Sequence, residues 1–143
     1  MKQIIWLVLF MLPGVSIADQ WLCVADQSNG FNYRESSDKW EQTKFTVDDD
    51  KYIVSQSKFE IYKYDVTRLG KKNSSAYCEK GFNTKGDLYC ELKVKADMEM
   101  NGLMYRVFNM NHIKGRFVMS ENFGYFSGFK VSPSITIGKC SKF

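Results

Sequence analysis

The chain has little histidine, little proline and few long hydrophobic runs. One histidine, His112, and two prolines occur among 143 residues. Serine and cysteine hydrolases pair a nucleophile with a nearby base, and no recognisable nucleophile motif surrounds His112. The four cysteines form no C-x-x-C pair, which is the spacing expected of a structural zinc site. The sequence therefore predicts no metal ligands, no cofactor and no catalytic residues.

Charge of one sign is not concentrated anywhere. Lysine and arginine number 20 against 16 acidic residues, a net charge of +4, and Lys71-Lys72 is the only adjacent basic pair. A nucleic-acid surface normally shows a concentrated basic stripe, so we expect no nucleic-acid partner. The acidic run Asp48-Asp49-Asp50 is typical of a solvated turn, whereas a glycosidase needs two carboxylates on opposite sides of a bond.

The first residues indicate export. Lys2 is followed by an apolar run from Ile4 to Leu12 and then by small residues at Ser16 and Ala18. This pattern predicts a signal peptide over residues 1–18 and a single domain over residues 19–143. The run is shorter than the roughly 20 residues that span a bilayer, so we expect no membrane span after cleavage. The expected location is therefore an oxidising compartment outside the cytoplasm.

The composition predicts an all-β fold. Aromatic residues make up 15% of the chain, valine, isoleucine and threonine are frequent, and helical periodicity is hard to find. We read Trp21–Ala25, Phe59–Tyr64 and Ser134–Cys140 as strands, and the dipeptide Asn29-Gly30 as the end of a turn. About eight to ten short strands predict a small, antiparallel β-barrel or β-sandwich. A barrel is favoured because closure removes exposed strand edges.

A hairpin is predicted at Asn101-Gly102, since this dipeptide accepts the positive φ angles of a two-residue turn. Such a turn would pair Met100 with Leu103 and Asp97 with Arg106. Three apolar residues then fall on the otherwise polar face, where either another element covers them or they form an exposed contact patch: Met104, Phe108 and Met110.

The four cysteines allow three pairings. Cys23 and Cys140 lie in the first and last predicted strands, and Cys78 and Cys90 flank a short glycine-containing stretch. We therefore predict the disulfides Cys23–Cys140 and Cys78–Cys90, which can persist in an oxidising compartment.

Aromatic residues mixed with glycine and serine near a predicted turn are hard to bury completely. The candidate binding surface therefore comprises Phe123, Tyr125, Phe126 and Phe129, with the apolar patch described above. Trp40 belongs to a wider set of rings that could dock a partner or stack on a sugar, although most of that set is expected in the core.

Several short segments resemble an uncharacterised family of small exported proteins from Gram-negative bacteria. They are Trp21-Leu22-Cys23-Val24-Ala25-Asp26, Gly30-Phe31, Trp40 with Phe45, Lys51-Tyr52 and Ile137-Gly138-Lys139-Cys140. The resemblance implies an exported bacterial domain, located in the periplasm or outside the cell, and transfers no activity. Our hypothesis is a non-enzymatic domain that binds a protein or an envelope polymer. The alternatives are a small hydrolase acting on envelope polymers and a structural subunit that joins an envelope assembly through the face of Met104, Phe108 and Met110.

Overall fold

A computed structural model describes residues 19–95, 103–122, 125 and 130–143. Among these residues there is no helix, and so none with the length and apolar character needed to cross a membrane. The described strands are β1 (Trp21–Arg34), β2 (Lys39–Phe45), β3 (Lys51–Gln56), β4 (Tyr64–Arg68), β5 (Ser74–Cys78), β6 (Asp87–Lys95), β7 (Leu103–Asn111), β8 (Arg116–Glu121) and β9 (Ser134–Lys142).

Eight of these strands close into an antiparallel barrel. The order runs β1-β3-β4-β5-β6-β7-β8-β9, and β9 pairs back onto β1. The remaining strand, β2, pairs with β1. The predicted all-β fold is confirmed, and of the two predicted architectures the barrel is the one observed.

The long first strand runs through the position where a turn was predicted. Residues Trp21 to Val24 pair with β3, and Ser28 to Arg34 pair with β2, while β9 lies along the other side of β1. A register shift between Ala25 and Gln27 bends the strand. The turn prediction at Asn29-Gly30 is therefore wrong. Gly30 permits a close approach between strands instead, because a Cβ there would lie 2.0 Å from the carbonyl oxygen of Pro133.

The strand predicted over Phe59–Tyr64 is also wrong. The strand β4 begins at Tyr64, and the residues before it include a turn in which the Tyr62 amide donates to the Phe59 carbonyl over 3.0 Å. Tyr62 stacks on the Tyr77 ring, with centroids 4.7 Å apart, whereas Phe59 and Ile61 are exposed. The alternation in this segment therefore does not correspond to the buried face of a strand.

The barrel interior is filled by side chains. Val54, Val66, Leu88 and Phe108 are fully buried, and Phe108 stacks on Phe117 with ring centroids 5.2 Å apart. Eight strands enclose an interior that is just wide enough for side chains to fill.

Two disulfides join neighbouring strands, and the predicted pairing is confirmed. Cys23–Cys140 links β1 to β9 where the barrel closes, and Cys78–Cys90 links β5 to β6. Both bridges are consistent with a location outside the cytoplasm, because disulfides are rare where thiols are kept reduced.

The register between β6 and β7 differs from the prediction. Cys90 lies opposite Phe108, and Lys95 lies opposite Leu103, so the connection is longer than a two-residue turn. The observed pairing differs from the predicted pairing by five residues. Because five is an odd number, the side chains predicted on one face of the sheet lie on the other. Phe108 is consequently 0% exposed and Met110 3% exposed, so neither belongs to a contact patch.

The predicted partners of this hairpin also change. Arg106 lies opposite Leu92 and forms an ion pair with Glu121. The predicted turn and Asp97 lie outside the described residues, as does the side chain of Met104.

Candidate functional site

The strand β1 continues past the point where its pairing with β9 ends, and there it pairs with β2 alone. Gly30 is opposite Ser134, the first residue of β9, and from Phe31 onward the ladder partner of β1 is β2. Phe31–Arg34 of β1 and Lys39–Gln42 of β2 form a two-stranded ribbon, in which Phe31 lies opposite Gln42 and Tyr33 lies opposite Trp40. Because side chains alternate along a strand, these four share one face.

Three rings on this face form a connected row. The Tyr33 and Trp40 rings lie 5.4 Å apart at 65°, and the Trp40 and Tyr125 rings lie 5.5 Å apart at 70°. These edge-to-face arrangements are favourable for aromatic pairs. Tyr125 comes from the connection between β8 and β9, so the row joins two distant parts of the chain.

The outer ring of the row is anchored at the tip of the ribbon. The Tyr33 hydroxyl donates a hydrogen bond to the carboxylate of Asp38, whose φ of 53° places it in the left-handed region of a tight turn. This hydrogen bond, more than any other contact, raises the pKa of Tyr33. The Lys130 ammonium lies over the Tyr33 ring, 4.4 Å from its centroid, and is 3.9 Å from the Glu35 carboxylate.

A surface groove of about 910 Å³ lies between the ribbon, the start of β9 and Tyr125. We name it the aromatic groove. Its described lining consists of Asn29, Gly30, Phe31, Trp40, Gln42, Asn122, Tyr125, Pro133, Ser134 and Ile135. Phe31 is 51% exposed and Tyr125 is 66% exposed, so the rings are accessible.

Hydrogen bonds hold the walls of the groove together. The Phe31 amide donates to the Pro133 carbonyl over 3.1 Å, and the Ser132 hydroxyl donates to the Asn32 side-chain oxygen over 3.0 Å. On the opposite wall, the Asn122 amide nitrogen donates to the Tyr105 carbonyl over 3.0 Å. The groove therefore depends on residues that are about a hundred positions apart in the chain.

A smaller cavity of about 270 Å³ lies inside one end of the barrel, where polar groups pair with each other. Arg68 binds Asp50 at 2.6 Å, and the Thr136 hydroxyl donates to the Ser28 hydroxyl over 2.9 Å. Burial, followed by the nearby charge of Asp50, raises the pKa of Tyr52 to about 12. The pairing of these groups with one another is typical of a structural polar layer.

A third cavity, of about 730 Å³, includes Asp87 in its lining. The Asp87 carboxylate accepts hydrogen bonds from the side-chain amides of Asn111 and Asn83, over 2.6 Å and 3.2 Å. These bonds lower the pKa of Asp87, so the group stays ionised and is poorly suited to act as a general acid. The Asp87 carboxylate therefore links Asn83 to Asn111 and has a structural role.

The histidine singled out in the sequence packs in an aromatic cluster. The His112 ring lies 4.7 Å from that of Phe82 and 6.2 Å from that of Trp21. Within the described part of the chain, no group of three or more His, Cys, Asp or Glu side chains could hold a metal ion.

Of the residues predicted as a binding surface, Tyr125 lies in the aromatic groove. Phe123, Phe126 and Phe129 lie outside the described residues. Sequence reasoning missed Phe31 and the amide side chains. Asn29, Phe31 and Tyr33 do alternate along β1, and this signal becomes visible once the strand is continued through Gly30.

Comparison with family models, with curated proteins and with solved structures found no match. The resemblance to exported Gram-negative proteins therefore stays a prediction. We infer function from the geometry and chemistry of the aromatic groove.

Proposed function

We propose that this protein is a non-enzymatic binding domain that holds a macromolecular partner or an envelope component in the aromatic groove. The observation that carries the proposal is the convergence of accessible rings from three chain segments: Phe31 on β1, Trp40 on β2 and Tyr125 before β9. The predicted leader and the two disulfides support action in the periplasm or outside the cell.

The packed interior of the barrel favours an external site. Val54, Val66, Leu88 and Phe108 occupy the interior, which is the space where some eight-stranded barrels hold a small ligand. A ligand larger than the polar cavity of about 270 Å³ would have to displace this core, whose large side chains each stabilise the fold by several kcal/mol, about 3–5 for a buried phenylalanine. A ligand that binds on the outer surface displaces no core side chain.

The composition of the groove also supports binding. Single exposed apolar residues are normal on a protein surface and need no explanation. Rings from separate segments, placed in one groove beside a few polar groups, match the usual composition of ligand sites. Aromatic side chains supply a large contact area and lose little conformational entropy on binding.

Two alternatives differ in support. The subunit hypothesis assigned the contact to a face that includes Phe108 and Met110, and both are core residues. The hydrolase hypothesis requires polar groups that converge on a bond, and the described lining of the aromatic groove contains amides, a serine and a tyrosine but no carboxylate.

Sedimentation with washed bacterial envelopes tests the proposal. Oxidised protein is mixed with the envelopes, and the bound fraction is measured for the wild type, for Phe31→Ala and for Phe59→Ala. Phe59 is a matched control, because it is 54% exposed and is not among the groove residues. Loss of a ring at the centre of a binding site typically costs about 1–2 kcal/mol, so we expect Phe31→Ala to weaken binding about tenfold.

If the wild type and Phe31→Ala sediment with the envelopes to the same extent, the aromatic groove is not the binding site. Failure of the wild type to sediment, together with release of soluble fragments from the envelopes, would replace the binding hypothesis with the hydrolase alternative.

A further inference from the structure

We propose that the ligand of the aromatic groove is an uncharged glycan chain; this inference rests on the proposed binding function. About a quarter of the residues in the chain are charged, yet none of the described residues that line the groove carries a formal charge. A phosphorylated or strongly acidic ligand would be expected to meet lysine or arginine inside its site. The charged groups described on the ring row, Asp38 and Lys130, both contact Tyr33, which is not among the residues that line the groove.

The polar groups of the groove suit hydroxyl-rich ligands. Asn29, Gln42 and Asn122 line the groove with exposed side chains, and within the described chain none of the three side-chain amides has a hydrogen-bond partner. Each amide can donate two hydrogen bonds and accept at its oxygen. A sugar hydroxyl also donates and accepts, so it can pair with either end of an amide.

A wholly apolar ligand fits this lining less well. It would remove water from the amides without replacing the lost hydrogen bonds, and this unpaired desolvation opposes binding. The amides therefore select for ligands that are polar, and the absence of formal charge in the described lining selects for ligands that are neutral.

The rings supply the other half of glycan recognition. The face of an aromatic ring is electron-rich, and the C–H bonds on one side of a pyranose ring present weakly positive hydrogens to it. Phe31 and Tyr125 are both more than half exposed, so their rings are accessible to a sugar. The groove volume of about 910 Å³ lies near the upper end of the range for small-molecule sites, which favours a short stretch of a polymer over one sugar.

Calorimetric titration of the full oxidised protein tests the inference. The probes are the tetramer of N-acetylglucosamine, the tetramer of glucose and, as an acidic counterpart, the tetramer of galacturonic acid. We expect at least one neutral tetramer to bind at least tenfold more tightly than the acidic one. Gln42→Ala should weaken that binding about fivefold, whereas Gln56→Ala, an exposed glutamine that is not among the groove residues, should leave it unchanged.

Equal or tighter binding of the acidic tetramer would overturn the inference, as would equal effects of the two glutamine variants. A protein that binds neither neutral tetramer, yet still loses envelope binding through Phe31→Ala, would refute the glycan and leave the proposed function standing. Loss of binding after protease treatment of the envelopes would instead identify a protein partner. Loss through both Phe31→Ala and Gln42→Ala, together with saturable binding of a neutral tetramer, would support both proposals.

Discussion

The replacement of Gly30 by alanine tests whether the aromatic groove depends on close contact between β1 and the start of β9. A Cβ at this position would lie 2.0 Å from the Pro133 carbonyl oxygen, 2.9 Å from the Ser134 Cα and 3.0 Å from a ring carbon of Phe45. The first two atoms belong to backbone, so no side-chain rotation relieves the overlap. The two backbone segments must therefore move apart by about 1.5 Å to bring the closest pair of atoms to an ordinary packing distance of about 3.5 Å.

The cost follows from three contributions. Overpacking a filled site typically costs about 1–3 kcal/mol, and a backbone overlap belongs near the upper end of that range. The movement also weakens the hydrogen bond from the Phe31 amide to Pro133, now 3.1 Å long, which is worth about 1 kcal/mol. Replacing glycine by alanine stabilises the folded state by about 0.4–1 kcal/mol through the unfolded chain. The net loss is about 3 kcal/mol, or a Tm lowered by about 10 °C.

Thermal unfolding of the oxidised protein measures this loss, and Gly81→Ala is the matched control. The nearest atom to a Cβ at Gly81 is a Tyr64 ring carbon at 3.9 Å, so the control should change stability by less than about 0.5 kcal/mol. Equal melting temperatures for Gly30→Ala and the wild type would refute the close approach. We also expect Gly30→Ala to weaken envelope binding, since Pro133 and Ser134 line the groove.

Two further predictions concern the barrel itself. Replacing both cysteines of Cys23–Cys140 by alanine should destabilise the fold by about 2 kcal/mol more than the same change at Cys78–Cys90, because the closed loops differ in length, with separations of 117 and 12 residues. Urea denaturation measures both, and equal losses would contradict the prediction. Burial raises the pKa of Tyr52 to about 12, so its contribution to stability is complete below pH 10 and should fall by roughly 2 kcal/mol as the pH rises to 12. Tyr52→Phe should flatten this part of the profile of unfolding free energy against pH, and an unchanged profile would assign the alkaline loss to other groups.

The features that depend on local pattern could be predicted from the sequence. Frequent turns, β-branched residues and rings indicated many short strands, and Cys23 and Cys140 were paired because they lie in the first and last of them. These inferences succeed because alternation and chain position survive small errors in strand boundaries.

Two of the three failures arose because a turn dipeptide was used as a local signal, and the third, over Phe59–Tyr64, arose because an alternating pattern was read as a strand. Asn29-Gly30 lies inside a strand, where the close contact with Pro133 requires a residue without a Cβ. The register of β6 and β7 was derived from Asn101-Gly102, and an odd error moved Phe108 from the core to the surface in the prediction. The groove depends on these long-range pairings, so local patterns revealed only part of it.

The position of β2 separates recognition from barrel closure. Eight strands close the barrel without β2, and a strand added to one half of β1 introduces an edge that can pair with other chains. Charged residues along β2, such as Lys39, Glu41 and Lys44, reduce that risk. Trp40 does not, because it adds apolar surface to the ribbon. The arrangement is understandable if β2 serves to hold Trp40 and Gln42 beside Phe31 on the outside of a barrel whose interior is already filled.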